Sequence, residues 1–331
     1  MSRSGLRLLV GAAIPFSRAP MQPTDPVPDG GGPAAEGGEV QAIASGWRLA
    51  LREFADNRIA VVGVGIIVFF VLFCFIGPLV YHTNQSLTQP LQANLAPGAA
   101  NPMGGHAGLL GSDEHGFDEL GRIMDGGQTA LEIGFFAAFI SIVIGTLYGA
   151  IAGLSGRLLD GLMMRFVDIV YSIPFLFIVL VLATKFSATV VEESLLLGFF
   201  SWLVPSRLMR GEVLTLRERD FVQAARVMGS GRPRLVYKHL IPNALSVVIV
   251  NVTFLVADSI LALAYLGFLG FGLQYPAASW GDMLGNADTY ISNGQWWLVY
   301  PVGFCLVAVV MACNLVGDAL RDAFDVRLRR R

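Results

Sequence analysis

The sequence predicts an all-α membrane protein with about six transmembrane helices. Three observations lead there: an apolar composition, a series of apolar runs long enough to cross a bilayer, and arginines confined to alternate connections. Of 331 residues, 54% are hydrophobic and 15% charged, and the mean hydropathy is +0.60. Those values are high for a soluble domain and fit a multi-span protein. The formal net charge of −2 says little, because the charges are sorted by position.

Residues 1–45 are rich in Gly, Pro, Ala and Asp and cannot bury enough apolar surface to fold. Arg3, Arg7 and the run Leu8–Phe16 imitate a signal peptide, but Pro15 breaks the run. The expectation is a disordered cytoplasmic tail, or an initiation site placed too far upstream. The membrane domain is expected over 46–328, followed by a short basic end at 329–331. Spans are expected at about Ile59–Val80, Leu131–Leu154, Phe166–Thr184, Ser194–Met209, Ala244–Leu266 and Trp297–Val316. The longest connection, 81–130, turns from Pro, Asn and Gly to an acidic segment. Trp280, Trp296, Trp297 and Tyr300 read as markers of a membrane–water interface.

Orientation follows from the arginines. Arg48, Arg52, Arg58, Arg157, Arg165, the stretch Arg207 to Lys238 and the run Arg321 to Arg331 fall on one side. The other side has only Arg122 and Lys185 against many carboxylates, among them Asp113, Glu114, Asp118 and Asp282. The positive-inside rule puts both termini in the cytoplasm, in a multi-pass protein of the cell (inner) membrane. The arginine clusters lie beside membrane ends, so no nucleic-acid partner is expected. Cys74, Cys305 and Cys313 sit inside apolar runs without metal or disulfide spacing and read as packing residues. His106 and His115 with nearby acids lack ligand spacing, so no metal is expected.

One polar stretch in the second half, LTLRERDFVQAARVMGSGRPRLVYKHLIPN from Leu214 to Asn243, lies between apolar spans. Phe221, Ala224, Ala225 and Met228 recur at i, i+3, i+4 and i+7, one stripe of a short amphipathic helix. Arg219, Gln223 and Arg226 take the other side. Gly229 follows the last periodic residue, where a left-handed helix end is easiest for glycine. Pro242 sits where a new helix is expected to start. The plain reading is a solvated loop helix packed on its own domain.

Ala-Ala, three residues, Gly, and then a basic and apolar run ending in Leu-Ile-Pro-Asn resembles the "EAA" coupling loop of ATP-binding-cassette importer permeases. The version here is most similar to that of the dipeptide/oligopeptide permease family, C type. The glutamate that names the loop is Gln223. Three more phrases fall in family order. GSDEHGFDELGRIMDGGQTALEIG (111–134) resembles the phrase leading into the second span, with Phe117 in place of the family's arginine. SWGDMLGNA (279–287) resembles the external segment after the fifth span, and NLVGDALRDAFDVR (314–327) the C-terminal signature.

The resemblance spans about 52–328. It implies a type I importer permease fold, with connection 81–130 outside and the coupling loop 210–243 in the cytoplasm. It also implies a second, related permease subunit, two cytoplasmic ATPase subunits or one two-domain ATPase, an extracytoplasmic substrate-binding protein, and peptide-like cargo. Phe221, Gln223, Ala224, Ala225, Met228 and Gly229 would then couple the chain to the ATPase.

No GxxxxGK[ST] loop occurs, so ATP and Mg are expected on the partner subunits and no cofactor or catalytic activity on this chain. Asp258, with Asn251, Thr253 and Ser259, lies inside the fifth apolar run. A carboxylate there is expensive unless it faces water or a partner, so Asp258, Asn251 and Ser259 are candidate pathway residues. The family phrase ILAExxLSFLGLG reads ILALAYLGFLGFG here, with Leu263 at the glutamate position. A structural hydrogen bond between spans is the alternative role for Asp258. Asp168 is expected to pair with Arg165 at helix spacing. Two other functions compete: an ion-gradient-driven secondary transporter using Asp258, and a non-transporting membrane scaffold.

Overall fold

The structure, a computed structural model, describes residues 52–102, 108–185, 189–273 and 275–329. The predicted tail 1–45, His106 and the last two arginines lie outside the described residues. The first long helix, α1, runs Arg58–Val80. It starts at Asn57, whose side chain accepts from the amides of Ile59 and Ala60 at 3.0 and 3.4 Å, the usual way to satisfy free helix-end donors. Val62, Phe69, Leu72 and Leu79 project outward, while Phe70 and Cys74 turn into the bundle. A helix apolar on all sides belongs in lipid.

The central rod is α2, Glu119–Leu154. It begins at Glu119 rather than at Leu131 because Asp118 caps it, accepting from the Gly121 amide at 2.9 Å. The expected connection 81–130 therefore ends at 118. Gly145, Gly149 and Gly153 recur every fourth residue and let α2 lie backbone to backbone against Pro205, Ser206, Met209 and Val213. Small residues at such spacing are how helices approach closely where no water drives them together. A methyl on Gly149 would come within 2.9 Å of the Arg210 amide and of Met209 Cβ, whereas one on Gly65 meets nothing within 4 Å. Gly149→Ala is expected to destabilise by about 1–3 kcal/mol, and Gly65→Ala to stabilise by about 0.5–1 kcal/mol. Melting curves of the two purified variants test that opposition of sign.

Two expected spans are broken. Phe166–Thr184 becomes α3 (Arg157–Ser172) and α4 (Phe175–Ala183), bent by 73° where Pro174 interrupts the helix. Ser194–Met209 becomes α5 (Val190–Ser201) and α6 (Leu203–Leu216), separated at Trp202. Among the described residues, four helices are long and apolar enough to cross a membrane, five if α3–α4 counts as one bent span. The expected sixth, Ser194–Met209, does not stand as one apolar helix: it is divided into α5 and α6, and α6 carries Arg207, Arg210 and Glu212.

After a turn at 217–219 comes α7, Asp220–Val227. A four-residue helix, α8 (Arg232–Leu235), passes through a π turn at Val236–Leu240 into α9, Ile241–Phe268. Pro242 falls in the first turn of α9, as expected. The helical path leading into it already begins at Arg232–Pro233, and the π turn lies directly before Ile241–Pro242, where the hydrogen-bond ladder must adjust to a missing amide. Short helices α10 (Trp280–Met283) and α11 (Ala287–Ser292) precede the last rod, α12, Tyr300–Arg329. The main core joins α1, α2, α5, α9 and α12 through Phe70, Ile133, Leu197, Ile260, Leu263 and Val302.

Trp280 corrects the interface reading. It is 1% exposed, its indole N–H donates to the Ile123 carbonyl at 3.0 Å, and its ring meets Phe70 edge-on at 6.0 Å. Trp297 is buried too, and only Trp296 and Tyr300 face outward. Ser279 and Asp282 form a reciprocal capping box that holds α10 inside the bundle end.

Candidate functional site

At the arginine-rich end, α7 is seated on the bundle by Val222 and Ala225. They pack with Met209, Val213, Leu235 and Leu240 in a second core. This reverses half of the predicted stripe. Ala225 is 2% exposed, and Phe221 is half-buried against the same core, its ring 6.5 Å from that of His239. The outward face is Gln223, Ala224, Val227 and Met228, with Val227 90% and Met228 79% exposed. Arg219, Arg226, Arg232, Arg234 and Lys238 on and after α7 are exposed as well, with Glu218 and Asp220 at its start. The result is a small apolar face on a predominantly basic segment.

The helix stops as its glycine implies. Gly229 has φ +85°, its amide donates to Arg226 O at 2.9 Å, and the Ser230 amide donates to Ala225 O at 3.0 Å. Those two bonds make a Schellman cap. Around this seat, Arg210 grips Asp160 with Nη2 2.6 Å from Oδ2, and Arg217 Nη1 donates to Gly153 O at 3.1 Å. Asp168 does not pair with Arg165 as expected. It takes Arg207 at 2.8 Å, which also lies 4.5 Å from the Tyr171 ring centre.

A cavity of about 830 Å³ opens beside α9, lined among others by Tyr171, Pro174, Phe175, Phe200, Asn251 and Asp258. Asp258 is exposed there and forms no ion pair among the described residues. Asn251 shares the cavity but turns its amide back to Val247 O at 2.8 Å. Ser259 does not line it: that side chain is buried, with a hydroxyl that has no hydrogen-bond partner. One helical stretch, Arg232–Phe268, thus carries both the seat of α7 and the cavity's one carboxylate. Leu240 and Asp258 are roughly 27 Å apart along it at 1.5 Å per residue.

The opposite end holds groups that sequence reasoning missed. Glu119 and Glu193 are buried, each with one carboxylate oxygen lacking a partner. Both stand at the mouths of apolar runs, which is the only signal the sequence offers. Burial pushes Asp113 and Asp282 above the usual carboxylate range, against the hydrogen bonds and the Arg122 charge that pull them down. Burial likewise pushes the Tyr290 phenol up to about 12. Phe117 is fully buried beneath Arg122, whose guanidinium lies 4.9 Å from its ring centre. Among the described residues, no cluster of metal-ligating side chains occurs.

A helical bundle with several membrane-length apolar helices, an open lined cavity and an exposed, seated surface helix is the architecture of a membrane transport subunit. Residues 128–330 match the family of binding-protein-dependent transport system inner membrane components. Residues 45–97 match the N-terminal TM domain of oligopeptide transport permease C. The chain is 37% identical over 283 residues to the oligopeptide transport system permease protein OppC of Haemophilus influenzae, covering 86% of this chain and 89% of that protein. It is 33% identical over 285 residues to the dipeptide transport system permease protein DppC of Alkalihalophilus pseudofirmus, covering 86% and 91%. A looser likeness, 24% identical with a TM-score of 0.45, links 60% of this chain to 94% of a chain in the inward-facing MetNI methionine ABC transporter. The chain belongs to the binding-protein-dependent transport inner-membrane family, and its fold is that of the family's all-α permeases.

Proposed function

We propose that this chain is one permease half of an ATP-driven importer of di- or oligopeptides. A second, related permease supplies the other half of the pathway. Two cytoplasmic ATPase subunits, or one two-domain ATPase, bind ATP and Mg, and an extracytoplasmic binding protein delivers cargo. Peptide cargo is what the names of the oligopeptide and dipeptide relatives state for those proteins. The inward-facing termini rest on the sorting of arginine to one end of the bundle.

The observation that carries the reading is the seating of α7. Its inner face is locked into the bundle through Val222 and Ala225, while Ala224, Val227 and Met228 stand out among arginines. A partner with an apolar groove and an acidic rim fits that knob. When paired ATPases close on ATP, two such helices are drawn together, and their rigid attachments turn the cavity from one side to the other.

The experiment is reconstitution of the full complex in vesicles. ATP-dependent, binding-protein-dependent accumulation of a labelled peptide supports the proposal. Uptake that survives without ATP and collapses with the proton gradient contradicts it. Asp258→Asn in the same vesicles is expected to lower uptake about tenfold with assembly unchanged, because it removes the charge from the cavity wall. Wild-type uptake and ATP hydrolysis in that variant would reduce Asp258 to a structural residue. An unpaired carboxylate at membrane depth costs about 2.5–3.5 kcal/mol, which is a poor return for structure alone.

A further inference from the structure

A second cavity, of about 170 Å³, lies at the end of the bundle opposite α7. Its walls include Asp113, Glu119, Arg122, Tyr275, Asp282 and Tyr290. Glu114 also reaches it, so four carboxylates face one guanidinium.

Most of these groups are already engaged. Asp113 Oδ1 accepts from the amides of His115 and Phe117 at 2.9 and 2.8 Å. Asp282 Oδ2 accepts from the Ser279 amide and hydroxyl at 3.1 and 2.7 Å. Arg122 donates to the Pro276 carbonyl at 2.7 Å, lies over Phe117, and stands 3.8 Å from Asp113. Glu119 is the exception: it is 1% exposed, and its Oε1 has no donor. A buried acceptor of that kind needs a partner that brings hydrogen-bond donors with it.

The chemistry of the walls narrows that partner. Among the described residues the carboxylates do not converge as a metal-binding group; beside one guanidinium and two tyrosines they offer acceptors and rings to a cation that carries its own N–H groups. Tyr275 is held flat against His115 and Phe117, with ring centres 5.0 and 5.8 Å apart. Aromatic faces beside carboxylates are a favourable setting for organic cations. At about 30 Å³ per water, the volume equals roughly five or six waters, enough for a cationic head group and too small for a folded peptide.

From this arrangement we infer that the cavity is a receptor for an organic cation, a primary ammonium or guanidinium group, with Glu119 as its buried acceptor and Tyr275 and Tyr290 as its aromatic walls. The group arrives either on a free small amine or on a side chain projecting from a docked protein. The inference requires neither peptide cargo nor an ATPase partner, so it stands or falls separately from the importer reading.

The test is thermal melting of the purified full chain at constant ionic strength. It is titrated with n-butylguanidinium, with n-butylammonium, and with the blocked tripeptide acetyl-Gly-Arg-Gly-amide, with sodium chloride as the reference. Saturable stabilisation is expected with at least one of the three. Glu119→Gln should weaken it at least tenfold, and Asp288→Asn, an exposed carboxylate outside the cavity, should leave it unchanged. Ala277 also lines the cavity, so Ala277→Arg, which puts a tethered guanidinium there, should abolish the response. Tighter binding of the blocked tripeptide assigns the natural cation to a docked side chain, and tighter binding of the simple cations assigns it to a free amine. No saturable shift beyond sodium chloride, an undiminished response in Glu119→Gln, or one that persists in Ala277→Arg, overturns the inference.

Discussion

Gly229→Val is expected to cut ATP-driven uptake at least tenfold while leaving the complex assembled. Gly229 holds φ at +85°, and nothing lies within 4 Å of the position a Cβ would take. The penalty therefore comes from the backbone and not from crowding. A left-handed conformation costs an L-residue about 1–2 kcal/mol, and a β-branched side chain fits it worst. To escape, the chain must give up the two bonds that close α7, from Gly229 to Arg226 and from Ser230 to Ala225. The short link to the Arg232 helix would then slacken while Val222 and Ala225 keep α7 seated. Gly229→Asn should recover most of the uptake, since asparagine tolerates left-handed geometry. Equal transport by the valine and glycine forms would show that the cap transmits nothing.

The second large effect is expected from Ala224→Arg. Ala224 is on the outward face, so a long cation there leaves the fold untouched and blocks close approach by a partner. Recovery of the ATPase with the tagged permease should fall at least tenfold, with the melting temperature of the isolated chain unchanged. Ala225→Arg makes the contrast. It puts a charge among Met209, Val213 and Leu240, and the chain itself should lose several kcal/mol. If ATPase recovery with Ala224→Arg matches the parent, the docking face lies elsewhere.

These two substitutions also show how far the sequence could be read. The existence of α7, its approximate ends and the left-handed stop at Gly229 were legible because periodicity and glycine are local signals. Which side of α7 faces inward was not. Apolar residues occur all round the helix, at Phe221, Val222, Ala225, Val227 and Met228, and only the neighbours decide which are buried. Asp168 illustrates the same limit. Its partner Arg207 lies 39 residues away, brought close by the packing of α3 on α6, whereas a sequence scan favours the nearer Arg165.

Pro242 is legible as a first-turn residue because that is its commonest tolerated position, whereas the π turn before it has no sequence signature. The aromatic belt is not legible, because burial is decided by neighbours. Trp280 has the composition of an interface residue, but Gly126 and Gly127 leave room for its ring between α2 and the bundle end. Glu119 carries no local sequence signal of burial, since it stands in an acidic segment beside Asp113, Glu114 and Asp118. Its burial appears only once the segments around 113 and 282 fold over it.

The uninterrupted stretch Arg232–Phe268 has a mechanical consequence. If it pivots where Leu235 and Leu240 pack, it acts as a lever whose long arm ends near Asp258. With an arm of roughly 27 Å, a tilt of about 10° sweeps that carboxylate through roughly 5 Å. On the proposed coupling, a modest tilt at the arginine-rich end would reach the cavity wall as a shift as wide as a side chain.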